Sequence, residues 1–68
     1  MKKQTKILYS HLVKCGWSED IAKDVSKAYM KDSIEGVIEA AKWMNDEEHD
    51  YTHEITMDIA KWYLSVSQ

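Results

Sequence analysis

The stretch Asp32-Ser33-Ile34-Glu35-Gly36-Val37-Ile38-Glu39-Ala40-Ala41-Lys42-Trp43-Met44-Asn45 decides the fold class. Its apolar residues Ile34, Val37, Ile38, Ala41 and Met44 recur every three or four positions, the period of an amphipathic helix. Asp32 and Glu35 have the spacing of a capping box, in which each side chain accepts from the other's backbone N–H. Gly36 inside a helix costs up to about 1 kcal/mol against alanine. Its presence predicts a close approach to another helix. Asn45 is the expected stop.

The same reasoning extends in both directions. Upstream, Ile7, Leu8, Leu12 and Cys15 form one helical stripe, and Gly16 sits where a left-handed residue ends a helix. Ser18 is placed to cap a second helix, with Glu19 and Asp20 in the first turn favouring the positive end of its dipole. Ile21, Ala22, Val25, Ala28 and Tyr29 line its inner face, and Trp17 is expected to staple back onto Ala22. Downstream, Asp46 or Asp50 starts a last helix whose core face reads Tyr51, Ile55, Ile59, Trp62 and Val66. No stretch alternates as a strand does. The expectation is an all-α chain, a compact bundle of three to four short helices in a single domain over residues 1–68.

Length and composition limit what such a bundle can be. With 68 residues and one cysteine, neither an intrachain disulfide nor a cysteine-based zinc site can staple the core. Helix packing or self-association is left to stabilise it. A hydrophobic share of 44% with three Trp and four Tyr argues against disorder. No apolar run approaches the roughly 20 residues of a membrane span. Ile7-Leu8-Tyr9 is too short for a signal peptide, and a single free thiol suits a reducing compartment, so a cytoplasmic location is expected.

Charge is divided along the chain. Residues 1–34 carry seven lysines and four acids, a net +3, whereas residues 35–68 carry two lysines and eight acids, a net −6. The acids gather at Asp46, Glu47, Glu48, Asp50, Glu54 and Asp58. Such a stretch either steers a partner electrostatically or solvates a helix start that favours acids in any case.

Catalytic patterns are weak. His11 lies four residues before Cys15, but a thiol at a helix C-terminus meets the negative end of the dipole, which raises its pKa. The chain has no nucleophile elbow and no glycine-rich phosphate loop. His49 and His53 are spaced to chelate a metal if both lie on one helix, yet no partnering ligand motif accompanies them. No enzyme activity, cofactor or metal is expected.

The second and third helices have about the apolar spacing of a helix-turn-helix. The second of them, however, presents Asp32, Glu35 and Glu39 with Lys42 as its sole base, and the chain has no arginine to read guanine.

Leu12-Val13-Lys14-Cys15-Gly16-Trp17-Ser18 resembles the Met-Gly-Phe/Tyr loop of ubiquitin-associated (UBA-type) three-helix domains, with cysteine in place of methionine. Ala22 follows as in that family, and Ala40-Ala41-Lys42-Trp43-Met44 is similar to the ending of its third helix. The resemblance covers residues 7–45. It implies a three-helix core and a hydrophobic patch of Gly16, Trp17 and Met44 offered to a protein partner. The Ala22–Ala40 stretch is about one helical turn longer than the family's, and the fourth helix is additional.

Aromatic residues carry the remaining signal. Met57, Ala60 and Leu64 form a second apolar stripe on the last helix, and Trp43 lies off the stripe of its own helix. Trp, Tyr and Met are residue types that anchor interfaces. The sequence therefore points to a small protein-interaction module, an inhibitor or adaptor such as a phage or bacterial accessory factor. Its expected surface is Trp43, Met57, Trp62, Tyr63 and Leu64, flanked by Asp46, Glu47, Glu48 and Asp50. A self-associating helical protein closing a homodimer is the second reading, and a helix-turn-helix-like nucleic-acid binder the third. No membrane partner is expected.

Overall fold

A computed structural model describes residues 2–67. They form three α-helices, α1 (Lys3–Lys14), α2 (Glu19–Lys42) and α3 (Tyr51–Val66), with no strand among the described residues. The all-helical class read from the periodicity is what the chain adopts.

The boundaries follow from local chemistry. At the end of α1, Gly16 takes φ +105°, a conformation costly to any residue with a Cβ. The Trp17 N–H then reaches the Leu12 carbonyl at 3.1 Å and the Gly16 N–H the Val13 carbonyl at 3.0 Å. These two bonds are a Schellman motif, satisfying carbonyls the helix would otherwise leave open. Ser18 caps α2, its Oγ accepting from the Ile21 N–H at 3.3 Å. Asp50, rather than Asp46, caps α3, accepting from the Thr52 N–H at 3.0 Å.

The middle of the chain differs from expectation. Two of the four expected helical segments are joined within α2, where Ser33 alone departs from helical angles (φ 57°, ψ −143°). Asp32 itself keeps helical angles, so it is not an N-cap, and the capping box with Glu35 does not form. The chain reverses at one residue instead of through a loop. Ser33 lies near a region of backbone space used almost only by glycine, at a cost of about 1–3 kcal/mol.

What offsets that strain is the packing of the two arms of α2. A Cβ added at Gly36 would stand 2.5 Å from the Ala28 carbonyl oxygen and 2.8 Å from the Asp32 Cβ. The close approach anticipated at Gly36 is therefore real, and its partner is the preceding arm of the same helix. Farther along, Ala40 and Met44 line one pocket with Ile21 and Val25. The second arm thus runs back antiparallel along the first.

The core gathers Leu8 and Leu12 of α1, Ala22, Val25, Val37 and Ala41 of α2, and Ile55, Ile59 and Trp62 of α3. Trp62 meets Tyr29 edge-on, with ring centroids 5.8 Å apart. The stripes read from sequence are right at their centres and too wide at their edges. Ile7, Ile34, Ile38 and Val66 are all exposed.

Gly36→Ala is expected to lower stability by about 1–3 kcal/mol, because the new methyl meets backbone that cannot move aside without parting the arms. Ser33→Gly is expected to raise it by up to about 1 kcal/mol by relieving the turn. Urea midpoints at unchanged slope read both effects. A neutral Gly36→Ala would mean the arms do not touch as described.

Candidate functional site

Three surface grooves, two of them joined by a narrower one, surround α3, and the turn chemistry described above shapes the first. Because Gly16 turns the chain sharply, Trp17 lands against α3, packed on the core cluster that includes Ala22. Its Nε1–H donates to Asp58 Oδ2 at 2.7 Å, and its ring meets Tyr51 edge-on at 5.9 Å. Cys15, Gly16 and Trp17 on one side and Glu54, Met57, Asp58 and Lys61 on the other enclose a groove of about 550 Å³.

His11 belongs to the same knot. Its Nε2 lies 2.9 Å from the Asp58 carbonyl oxygen and 3.5 Å from Cys15 Sγ. A carbonyl can only accept, so Nε2 must carry the hydrogen to make the first bond. In that tautomer Nε2, the ring nitrogen beside the thiol, cannot take its proton. Partial burial pushes the Cys15 thiol above its ordinary range; the Asp58 charge adds to the rise and Lys61 opposes it. Nucleophilic chemistry needs the opposite shift.

The histidine pair is also separated. His49 precedes the Asp50 cap and so lies off the helix that carries His53. Its Nε2 is 2.8 Å from Glu54 Oε1, and its ring sits 4.2 Å from that of Tyr51. Among the described residues no group of three or more His, Cys, Asp or Glu side chains is arranged to hold a metal ion.

The second groove, about 560 Å³, is apolar. Tyr29 and Ile34 on α2 face Ala60, Tyr63 and Leu64 on α3 across it. Tyr63 and Leu64 are 54% and 61% exposed, large values for side chains of that size beside a core. A narrower groove lined by Ile7, Met30, Trp62 and Val66 shares Tyr29 and Tyr63 with it and continues it toward α1. The third groove, between α1 and α3, is lined by Lys3, Lys6 and Lys14.

The residues expected to form one surface are distributed among these places. Tyr63 and Leu64 stay together, and Met57 lines the Trp17 groove. Trp43, 86% exposed, stands at the end of α2 beside Ile21, Asp24 and Met44. Trp62 is a core residue only 8% exposed, because the Tyr29 ring packs against it. Of the residues that the UBA-type resemblance singles out, Gly16 and Trp17 line the first groove and Met44 the one beside Trp43.

The acids lie at the far end of α3 from Leu64, some 20 Å away at the rise of a helix. Asp50 is engaged as a cap and accepts from Asn45 Nδ2 at 3.2 Å. Asp46 accepts from the Glu48 N–H at 2.9 Å. Asn45 ties this loop down, its Oδ1 accepting from the Tyr51 N–H at 2.7 Å and its Nδ2 donating to Thr52 Oγ1 at 2.9 Å. On α2, Lys42 lies 3.9 Å from Glu39 in an exposed ion pair. No described helix is long and apolar enough to cross a membrane.

Sequence reasoning did not place Ile7, Tyr29, Ile34 and Val66 on the surface beside Tyr63. The signal was the width of the stripes: four apolar faces broader than one small core can cover. No protein-family model, curated protein or solved structure matches this chain.

Alkylation of Cys15 by iodoacetamide is expected to show a pH midpoint above that of a free cysteine. Asp58→Asn should bring the midpoint down by removing the negative charge. A midpoint at or below the free-thiol value would contradict the raised thiol pKa.

Proposed function

We propose that the chain is a non-enzymatic protein-interaction module whose contact surface is centred on Tyr63 and Leu64 of α3. The observation that carries this reading is the apolar groove in which those two side chains face Tyr29 and Ile34. Single exposed apolar residues are ordinary; a contiguous run joined to a second apolar groove is what interaction sites display. Tyrosine is well suited to such a site, since it presents large area with few rotatable bonds and a polar tip. Trp43 and Met57 lie outside this surface, and Trp62 supports it from below. The bonded Asp46 and Asp50 serve the loop and the α3 cap.

The hydrogen-bonding of His11 favours this reading over catalysis, because the imidazole within 3.5 Å of the thiol is committed to the Asp58 carbonyl. The acids around and after the reversal in α2 favour it over a DNA reader, since Asp32, Glu35 and Glu39 would face phosphates.

Leu64→Asp tests the reading. It sits on an exposed face, so stability should change by no more than about 0.5 kcal/mol. A protein retained from host extract on the immobilised chain should be lost from the variant. Equal retention by both forms would remove this surface from consideration. Sedimentation across a dilution series runs beside it, and a tight dimer broken by Leu64→Asp would replace the partner reading with self-association.

A further inference from the structure

We propose that the groove between α1 and the C-terminal half of α3 receives an acidic, amphipathic peptide segment of a partner protein. The inference rests on the interaction-module reading and names the chemistry of the partner. Lys3, Lys6 and Lys14 line this groove of about 440 Å³, and no carboxylate lines it among the described residues. The three lysines recur at helical spacing on one face of α1, over about 16 Å of helix. Ile7 and Val66, 43% and 54% exposed, form its apolar wall together with the edge of Trp62.

The Trp62 side chain supplies a second observation. Its indole N–H is buried and has no acceptor among the described residues, the one buried side-chain polar atom there in that position. A buried donor without a partner costs about 1–3 kcal/mol. The residue that carries it lines both the lysine groove and the apolar groove that leads to Tyr63. Trp62 therefore stands where the two grooves meet.

Continuity defines the occupant. The lysine groove shares Ile7, Trp62 and Val66 with the intermediate groove, which shares Tyr29 and Tyr63 with the apolar one. A single segment laid along this path meets apolar wall at one end and lysines at the other. Carboxylates matching the lysines, followed by apolar anchors, satisfy both ends. A nucleic-acid backbone fits less well. It makes no use of an apolar wall, and the chain has no arginine to clamp phosphate.

Selection from a random-peptide display library on the full chain tests this, repeated on Lys6→Glu/Lys14→Glu. Both lysines are exposed on α1, so the fold should persist, which circular dichroism checks. The wild-type selection should enrich peptides of net negative charge with apolar residues at helical spacing. A synthetic copy of the strongest should bind about tenfold more weakly to the double variant. Its binding should also weaken with added salt, and amide shifts should map to Lys6, Lys14 and Val66.

Enriched peptides that are apolar but not acidic, and sensitive to Leu64→Asp, would overturn the acidic partner while leaving the interaction surface in place. No enrichment, with no partner retained by the immobilised chain, would overturn both. Binding of phosphatidylserine vesicles or a DNA duplex that the double variant abolishes would assign the lysines to a polyanion instead. A dimer dissociated by the double variant would assign the groove to a second copy of this chain.

Discussion

The approach of Gly36 to the Ala28 carbonyl is the constraint on which the remaining architecture rests. Without a side chain at position 36, the second arm of α2 can lie directly on the first, and Val37 and Ala41 reach the core. That burial holds Ser33 in angles it would not otherwise adopt. It also places Ile34 opposite Ala60 and Leu64, which makes the apolar groove. A side chain at position 36 would part the arms and widen the core, and the groove would lose its α2 wall. A surface feature therefore depends on a residue with no exposed atoms of consequence.

Asp58 plays the corresponding part on the other side of α3. Its carboxylate takes the Trp17 indole N–H and its main-chain oxygen takes the His11 ring N–H. One residue thus fastens α1 and the turn after it to α3. These bonds cross 41 and 47 positions of sequence, far longer than the local contacts within helices. In a chain with no disulfide among its described residues, they tie the first helix to the last. The carboxylate that looked like part of an acidic guide is thus a structural tie.

How much of this was legible in the sequence depends on the range of the interaction. Gly16, Ser18 and Asp50 mark helix ends through bonds to neighbours a few residues away, and the sequence carries that information directly. Gly36 announced a close approach through its cost, although not the identity of the facing backbone. The single-residue reversal at Ser33 was hidden, because serine carries no sign of a left-handed turn and Asp32 with Glu35 imitates an ordinary cap. The candidate surface was half legible. Tyr63 and Leu64 fall together because they share one helix, while their neighbours Tyr29 and Ile34 arrive through the folding back of α2. Trp62 could be read as core or as surface from its stripe, and only the position of Tyr29 decides between them.

The three tryptophans occupy three distinct environments, and this has a spectroscopic consequence. Trp43 is almost fully in water, so its emission changes little between the folded and unfolded chain. Trp17 is half-buried with its ring N–H held by a carboxylate, an arrangement that breaks when α1 leaves α3. Trp62 is buried, its ring N–H without an acceptor among the described residues. Since the chain contains no phenylalanine, its intrinsic emission reduces to these indoles and four tyrosines. Replacing Trp43 and Trp17 by other residues would leave a chain whose light reports on one buried ring, at the wall where two grooves meet.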